Sequence, residues 1–135
     1  MNANELRVGN WVEANSPMMQ VKEITEHTVG LYMPGSEADP FLYDIEEIRP
    51  IKLSPEILEK CGFELNRNNE LSIEINDIAS HLELMSGTGG FYYPSFTQTP
   101  QGDEERTVYF NRINSLHQIQ NLYFSLCGEE LNYKQ

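Results

Sequence analysis

Hydrophobic positions along this chain recur first at a period of two, then at a helical period, and then repeat that order. In the first 52 residues Met19 and Val21, Val29 and Leu31, and then Phe41, Tyr43 and Ile45 alternate with polar neighbours. Alternation of this kind marks short strands with one buried face. Ile24 falls out of step with Met19 and Val21, which indicates a bulge or an early strand end. Turn formers separate the runs at Gly9-Asn10, Asn15-Ser16-Pro17 and residues 34–40, and Arg49-Pro50 leads the chain out of the sheet. Four or five short strands joined by such turns predict a small SH3-like β-barrel over residues 1–52. A unit of that size buries too little surface to be stable unaided.

Residues 53–63 change to helical spacing. Ser54 is a natural N-cap, Pro55 fits the first helical position, and Glu56 suits the first turn. Gly62 can close the helix in a left-handed conformation, with Phe63 folding back onto Leu58. Alternation then returns without a fault in Leu71, Ile73 and Ile75 against Ser72, Glu74 and Asn76. A further strand is expected around His81-Leu82-Glu83-Leu84. The stretch 86–90 is a loop, Phe91-Tyr92-Tyr93 and Phe96 form an aromatic patch broken by Pro94, and residues 97–105 are polar and turn-rich. The last strand is Thr107-Val108-Tyr109-Phe110-Asn111, with Val108 and Phe110 on one face.

The final segment carries the widest apolar stripe. At about 100° per residue, Leu116, Ile119, Leu122, Tyr123, Leu126 and Cys127 fall within an arc of roughly 140°. Gln118, Asn121 and Ser125 lie opposite. Ser115 with Gln118 fits a capping box, and Gly128 suits the closing position. The fold class that emerges is α+β: the SH3-like module (1–52), a short connecting helix, and a C-terminal antiparallel sheet packed by one amphipathic helix (53–135). The two modules are expected to share an interface.

Charge narrows the choice of partner. The 135 residues carry a formal net charge of −12, with nine acidic against four basic side chains in residues 1–53 and twelve against five in 54–135. No basic stripe is available for phosphate backbones, so direct nucleic-acid binding is not expected. Met1-Asn2-Ala3-Asn4-Glu5 has neither a basic nor an apolar leader region, and no apolar run reaches the ~18 residues of a membrane span. A cytoplasmic protein with no membrane partner is the expectation, with Cys61 and Cys127 as reduced packing residues.

Three stretches together resemble a family of small uncharacterised bacterial and phage-associated proteins. They are Leu6-Arg7-Val8-Gly9-Asn10-Trp11-Val12, then Asp44-Ile45-Glu46-Glu47-Ile48 running into residues 53–63, and His117-Gln118-Ile119-Gln120-Asn121-Leu122-Tyr123-Phe124 through Gly128-Glu129-Glu130-Leu131. The resemblance spans both ends and the joint of the chain. It implies no established activity and no functional residues.

Catalytic constellations are thin. The glycine-rich stretch 86–90 is followed by a strand-like run, whereas a phosphate loop needs a helix N-terminus behind it. His27, His81 and His117 show no metal spacing, and no cofactor is expected. His117 is placed on the helix flank, at the surface or boundary. Glu46-Glu47, Glu104-Glu105 and Glu129-Glu130 are solvated edges. The aromatic side chains exceed what two half-cores require, and Trp11, Tyr32, Tyr43, Tyr92, Tyr93 and Phe96 are the candidate contact residues, several of which can equally be core. Trp11 should face away from the side that Val8 and Val12 occupy. The reading is a non-catalytic protein-interaction module favouring a basic partner. The alternatives are an acidic nucleic-acid mimic that occupies a DNA-binding protein, and a small enzyme with an unrecognised site.

Overall fold

The computed structural model describes residues 1–15, 18–33, 40–75, 77–98 and 104–134, with the side chains of residues 77–79 excepted. The expected turn at Ser16-Pro17, the loop 34–39, Asn76 and the stretch 99–103 lie outside the described residues. The chain is α+β, with antiparallel sheets of four and five strands, the short helix α1 (Pro55–Lys60) and the main helix α2 (Leu116–Cys127). It divides into two compact units, Met1–Lys52 with Ser115–Leu122, and Leu53–Asn114 with Tyr123–Gln135. Among the described residues no helix is long and apolar enough to cross a membrane.

In the first unit β1 (Trp11–Glu13), β2 (Met18–Ile24), β3 (Thr28–Tyr32) and β4 (Phe41–Asp44) form a meander in chain order. Val12 pairs with Met19, Val21 with Leu31, and Val29 with Tyr43, so one face collects the apolar side chains. Together with Leu6, Ala14 and Ile48 they form the core, against which Ile24, Tyr43 and Ile45 pack. The register shifts between Val21 and Glu23. The extra residue of this bulge returns Ile24 to the core side, which explains its broken parity. No closed barrel forms among the described residues. After a 3-10 turn at Ile45–Glu47, Arg49 exchanges backbone bonds with Glu13 of 3.0 and 2.9 Å. Beyond this one bridge the Ile51 carbonyl accepts from the Leu116 N–H (2.8 Å) rather than from β1, and the ladder goes no further.

Residues Leu116–Leu122 of α2 meet this unit through amides. The Trp11 N–H donates to Gln120 Oε1 at 2.8 Å, and Gln120 Nε2 donates to the Gly9 carbonyl at 3.3 Å. A single side-chain amide thus serves a donor and an acceptor two residues apart, as a neighbouring strand would. Asn10 Nδ2 donates to Asn121 Oδ1 (2.8 Å), and Asn121 Nδ2 donates to the Glu5 carbonyl (2.9 Å). Asn10 Oδ1 in turn accepts from the Arg7 N–H at 2.7 Å.

His117 corrects the sequence expectation. It is 2% exposed, because the first turns of α2 bury Leu116, His117, Ile119 and Gln120 together. Both ring nitrogens are buried without a hydrogen-bond partner, and Glu5 Oε2 lies 3.9 Å from Nε2, beyond hydrogen-bond reach. Burial holds its pKa below the ordinary histidine value, with the N-terminal ammonium adding to the effect and Glu5 opposing it. Leu122, Tyr123, Leu126 and Cys127 are half-buried.

In the second unit α1 is built by local chemistry. Ser54 Oγ accepts from the Ile57 N–H (3.2 Å), and the Gly62 and Phe63 N–H groups return to the Glu59 and Leu58 carbonyls, each at 3.0 Å. Gly62 has φ +99, which a side chain would strain. The sheet follows as β5 (Glu64–Leu65), β6 (Leu71–Ile75), β7 (Asp77–Ser86), β8 (Tyr92–Gln98) and β9 (Arg106–Tyr109), paired in that order. Ile73 pairs with Leu82, Leu82 with Phe96, and Phe96 with Val108, forming the apolar row. β8 runs straight through Pro94, contrary to the sequence expectation. The Phe110 N–H donates to the Pro94 carbonyl (3.0 Å), so the proline's missing donor also points toward β9. β9 ends at Tyr109, so the loss falls between the β9 ladder and the bridge where Tyr92 and Ile113 exchange backbone bonds of 2.8 and 2.9 Å.

Ile119 is completely buried. Ile119→Ala should cost about 2–5 kcal/mol in chemical denaturation, and Leu122→Ala, half-buried, should cost less. A depressed folded-state pKa at His117 means that its stability contribution is complete above the unfolded value of about 6.5 and is lost as pH falls. Denaturation midpoints measured down from pH 7 should fall for the wild type, and His117→Leu should flatten that dependence.

Candidate functional site

The outward face of the second sheet brings together the groups most able to hold a ligand. Strand alternation puts Glu83 and Met85 of β7, Tyr93, Ser95 and Thr97 of β8, and Thr107 and Tyr109 of β9 on one side. Pairing sets Met85 beside Tyr93, Glu83 beside Ser95, and Ser95 beside Tyr109. With Glu70 and Glu105 these residues line an open concavity of about 390 Å³. A second depression of about 520 Å³ adjoins it, bordered by Glu74, His81, Glu83 and Glu105. The face is polar and acidic at its centre, with Tyr93 42%, Met85 51% and Tyr109 81% exposed.

The carboxylates there are in conflict. Glu70 is hydrogen-bonded to Glu83, and its pKa is raised above the ordinary value, first by partial burial and then by that bond and by the charge of Glu83. On the other side of Glu83, His81 Nε2 stands 2.7 Å from Oε1. A close pair of carboxyls is poorly satisfied at neutral pH unless a cation or a proton is supplied.

The six aromatic residues singled out from sequence are dispersed. Trp11 takes the parity opposite to Val12, but that side is covered too, leaving it 5% exposed with its N–H held by Gln120. Val8, expected inside, is exposed. Tyr32 donates its hydroxyl to Gln20 Oε1 (3.1 Å) and has Lys22 Nζ 5.6 Å from its ring centre. Tyr43 packs on the first core. Tyr92 is buried at 5% exposure and borders a small crevice of about 130 Å³ with Pro55, Leu71 and Leu84. Phe96 belongs to the apolar row. Of the six, Tyr93 stands on the open face. Its companions Tyr109, Met85, Glu70 and Glu83 are not among the candidates that the sequence offers. Tyr109 had a sequence signal, since it alternates with Val108 in the last strand.

The glycine-rich stretch is a 3-10 turn at Thr88–Gly90, with φ +71 at Gly89 and +79 at Gly90. Both cysteines are free thiols, and burial pushes Cys61 up to about 12, far from a reactive thiolate. Among the described residues no group of three His, Cys, Asp or Glu side chains is arranged to hold a metal. Comparison with known protein families, with curated proteins and with solved structures finds no match to this chain.

A raised folded-state pKa makes the Glu70 contribution favourable below its unfolded value of about 4.3 and lost as pH rises through the folded one. Glu70→Gln should therefore stabilise the free protein at pH 7, by up to about 1 kcal/mol for so solvent-accessible a pair. Thermal unfolding should show that advantage shrinking toward pH 4.

Proposed function

We propose that this protein is a non-catalytic interaction module whose acidic, tyrosine-bearing sheet face binds a basic segment of another protein. The observation that carries the reading is the meeting of Glu70, Glu83 and Glu105 with Tyr93, Tyr109 and Met85 in one open concavity. Tyrosine and methionine are the residues that contact surfaces favour, and tyrosine faces attract lysine and arginine. A partner's ammonium or guanidinium group between Glu70 and Glu83 relieves the repulsion that the free protein carries. The net charge of −12 draws such a partner in from solution. The meander of the first unit, its 3-10 turn and the Glu13–Arg49 bridge favour a small SH3-like barrel, and two free thiols accord with a cytoplasmic setting.

Titration calorimetry with an oligolysine peptide tests the assignment, with an oligoglutamate peptide as control. Binding should appear at low ionic strength with oligolysine alone and weaken as salt rises. Tyr93→Ala combined with Tyr109→Ala should reduce affinity about tenfold or more, on the scale of paired aromatic contacts. Oligolysine binding that these two substitutions leave unchanged, or no binding at all, would sink the proposal.

A further inference from the structure

The free edge of β9 is built to accept another strand. β9 lies at the end of the five-stranded order and pairs with β8 alone among the described strands. The bond from the Phe110 N–H to the Pro94 carbonyl fixes the phase of this ladder. Counting back by two, Val108 and Arg106 turn their backbone groups toward β8, while Thr107 and Tyr109 turn theirs toward the open edge. The side chains beside that edge are apolar on both faces: Val108 is 55% exposed on the apolar row and Tyr109 81% on the acidic face. Edges that must stay unpaired usually carry charge or proline along their length. Here charge is confined to Glu104, Glu105 and Arg106 at one end, and Thr107, Val108 and Tyr109 are unguarded.

Charge decides the occupant. A second copy would bring another −12 to the same place, whereas a cationic strand would lay its charges beside Glu105 and across the sheet from Glu83. We propose that β9 is extended by a basic, extended peptide. Its alternate residues are lysine or arginine over the acidic face, and its intervening residues are apolar against Val108. This rests on the reading above that the partner is basic, and adds that backbone hydrogen bonds at the edge, rather than side-chain contacts alone, hold it.

The test uses the full chain and a short peptide alternating lysine and valine, together with two N-methylated versions, one modified on the lysines and one on the valines. Strand addition engages only one of these sets, since successive N–H groups point to opposite sides. One methylated peptide should therefore lose about tenfold or more in affinity while the other binds like the parent. An antiparallel strand predicts the loss in the lysine set, a parallel strand in the valine set. Thr107→Pro, which removes an edge donor but no backbone bond to β8, should reproduce the loss, and Thr107→Ala, which gives up the same hydroxyl contact with Thr97 but keeps the edge donor, should not. The peptide comparison stands even if Thr107→Pro fails to fold. Equal affinity for all three peptides would overturn edge addition and leave the basic-partner reading intact. No binding by any peptide would remove both. A dimer that Thr107→Pro dissociates would show that the edge belongs to a second copy, overturning the proposal.

Discussion

Gln120 carries the contact on which the first unit depends. Its amide is the partner of both the Trp11 N–H and the Gly9 carbonyl, joining residues more than a hundred positions apart. The Trp11 donor is buried, and a stranded buried donor costs about 1–3 kcal/mol, whereas the half-buried Gly9 carbonyl also accepts from Gln20 Nε2 at 3.2 Å. Hydrophobic contact from Leu116 and Ile119 fixes how strongly α2 is held, but it is non-directional. The amide contacts of Gln120 and Asn121 specify which backbone positions it is held against. The price is a buried histidine beside them with no hydrogen-bond partner for either ring nitrogen.

In the second unit the same accounting runs through backbone donors. Pro94 is tolerated in an inner strand because its missing N–H faces the gap between the end of β9 and the Tyr92–Ile113 bridge. Alternation along β9, which has a neighbour on one side only among the described strands, directs the backbone groups of Thr107 and Tyr109 outward. On the outer face, partial burial and the neighbouring Glu83 make Glu70 costly to ionise, so this pair lowers the stability of the free protein at neutral pH.

Local signals in the sequence determined the two helices. Ser54, Pro55 and Gly62 bound α1, and Ser115, Gln118 and Gly128 bound α2, because caps act over three or four residues that are adjacent in the chain. Alternation likewise marked the buried sides of β2, β3 and β6, and even the break at Ile24 was legible as a bulge. What the tertiary structure alone decided is which faces are covered and which residues from different strands meet. Parity turns Trp11 away from Val12 and helical angle puts His117 on the flank of its stripe, which gives direction but not what stands opposite. The Glu70–Glu83 pair and the Tyr93–Tyr109 face depend on the registers between β6, β7, β8 and β9, and register is a property of pairs of strands. How far the first sheet closes depends on where its last segment finds hydrogen-bond partners. The ladder stops after one bridge because the Ile51 carbonyl is taken by the Leu116 N–H, a pairing that no local signal shows.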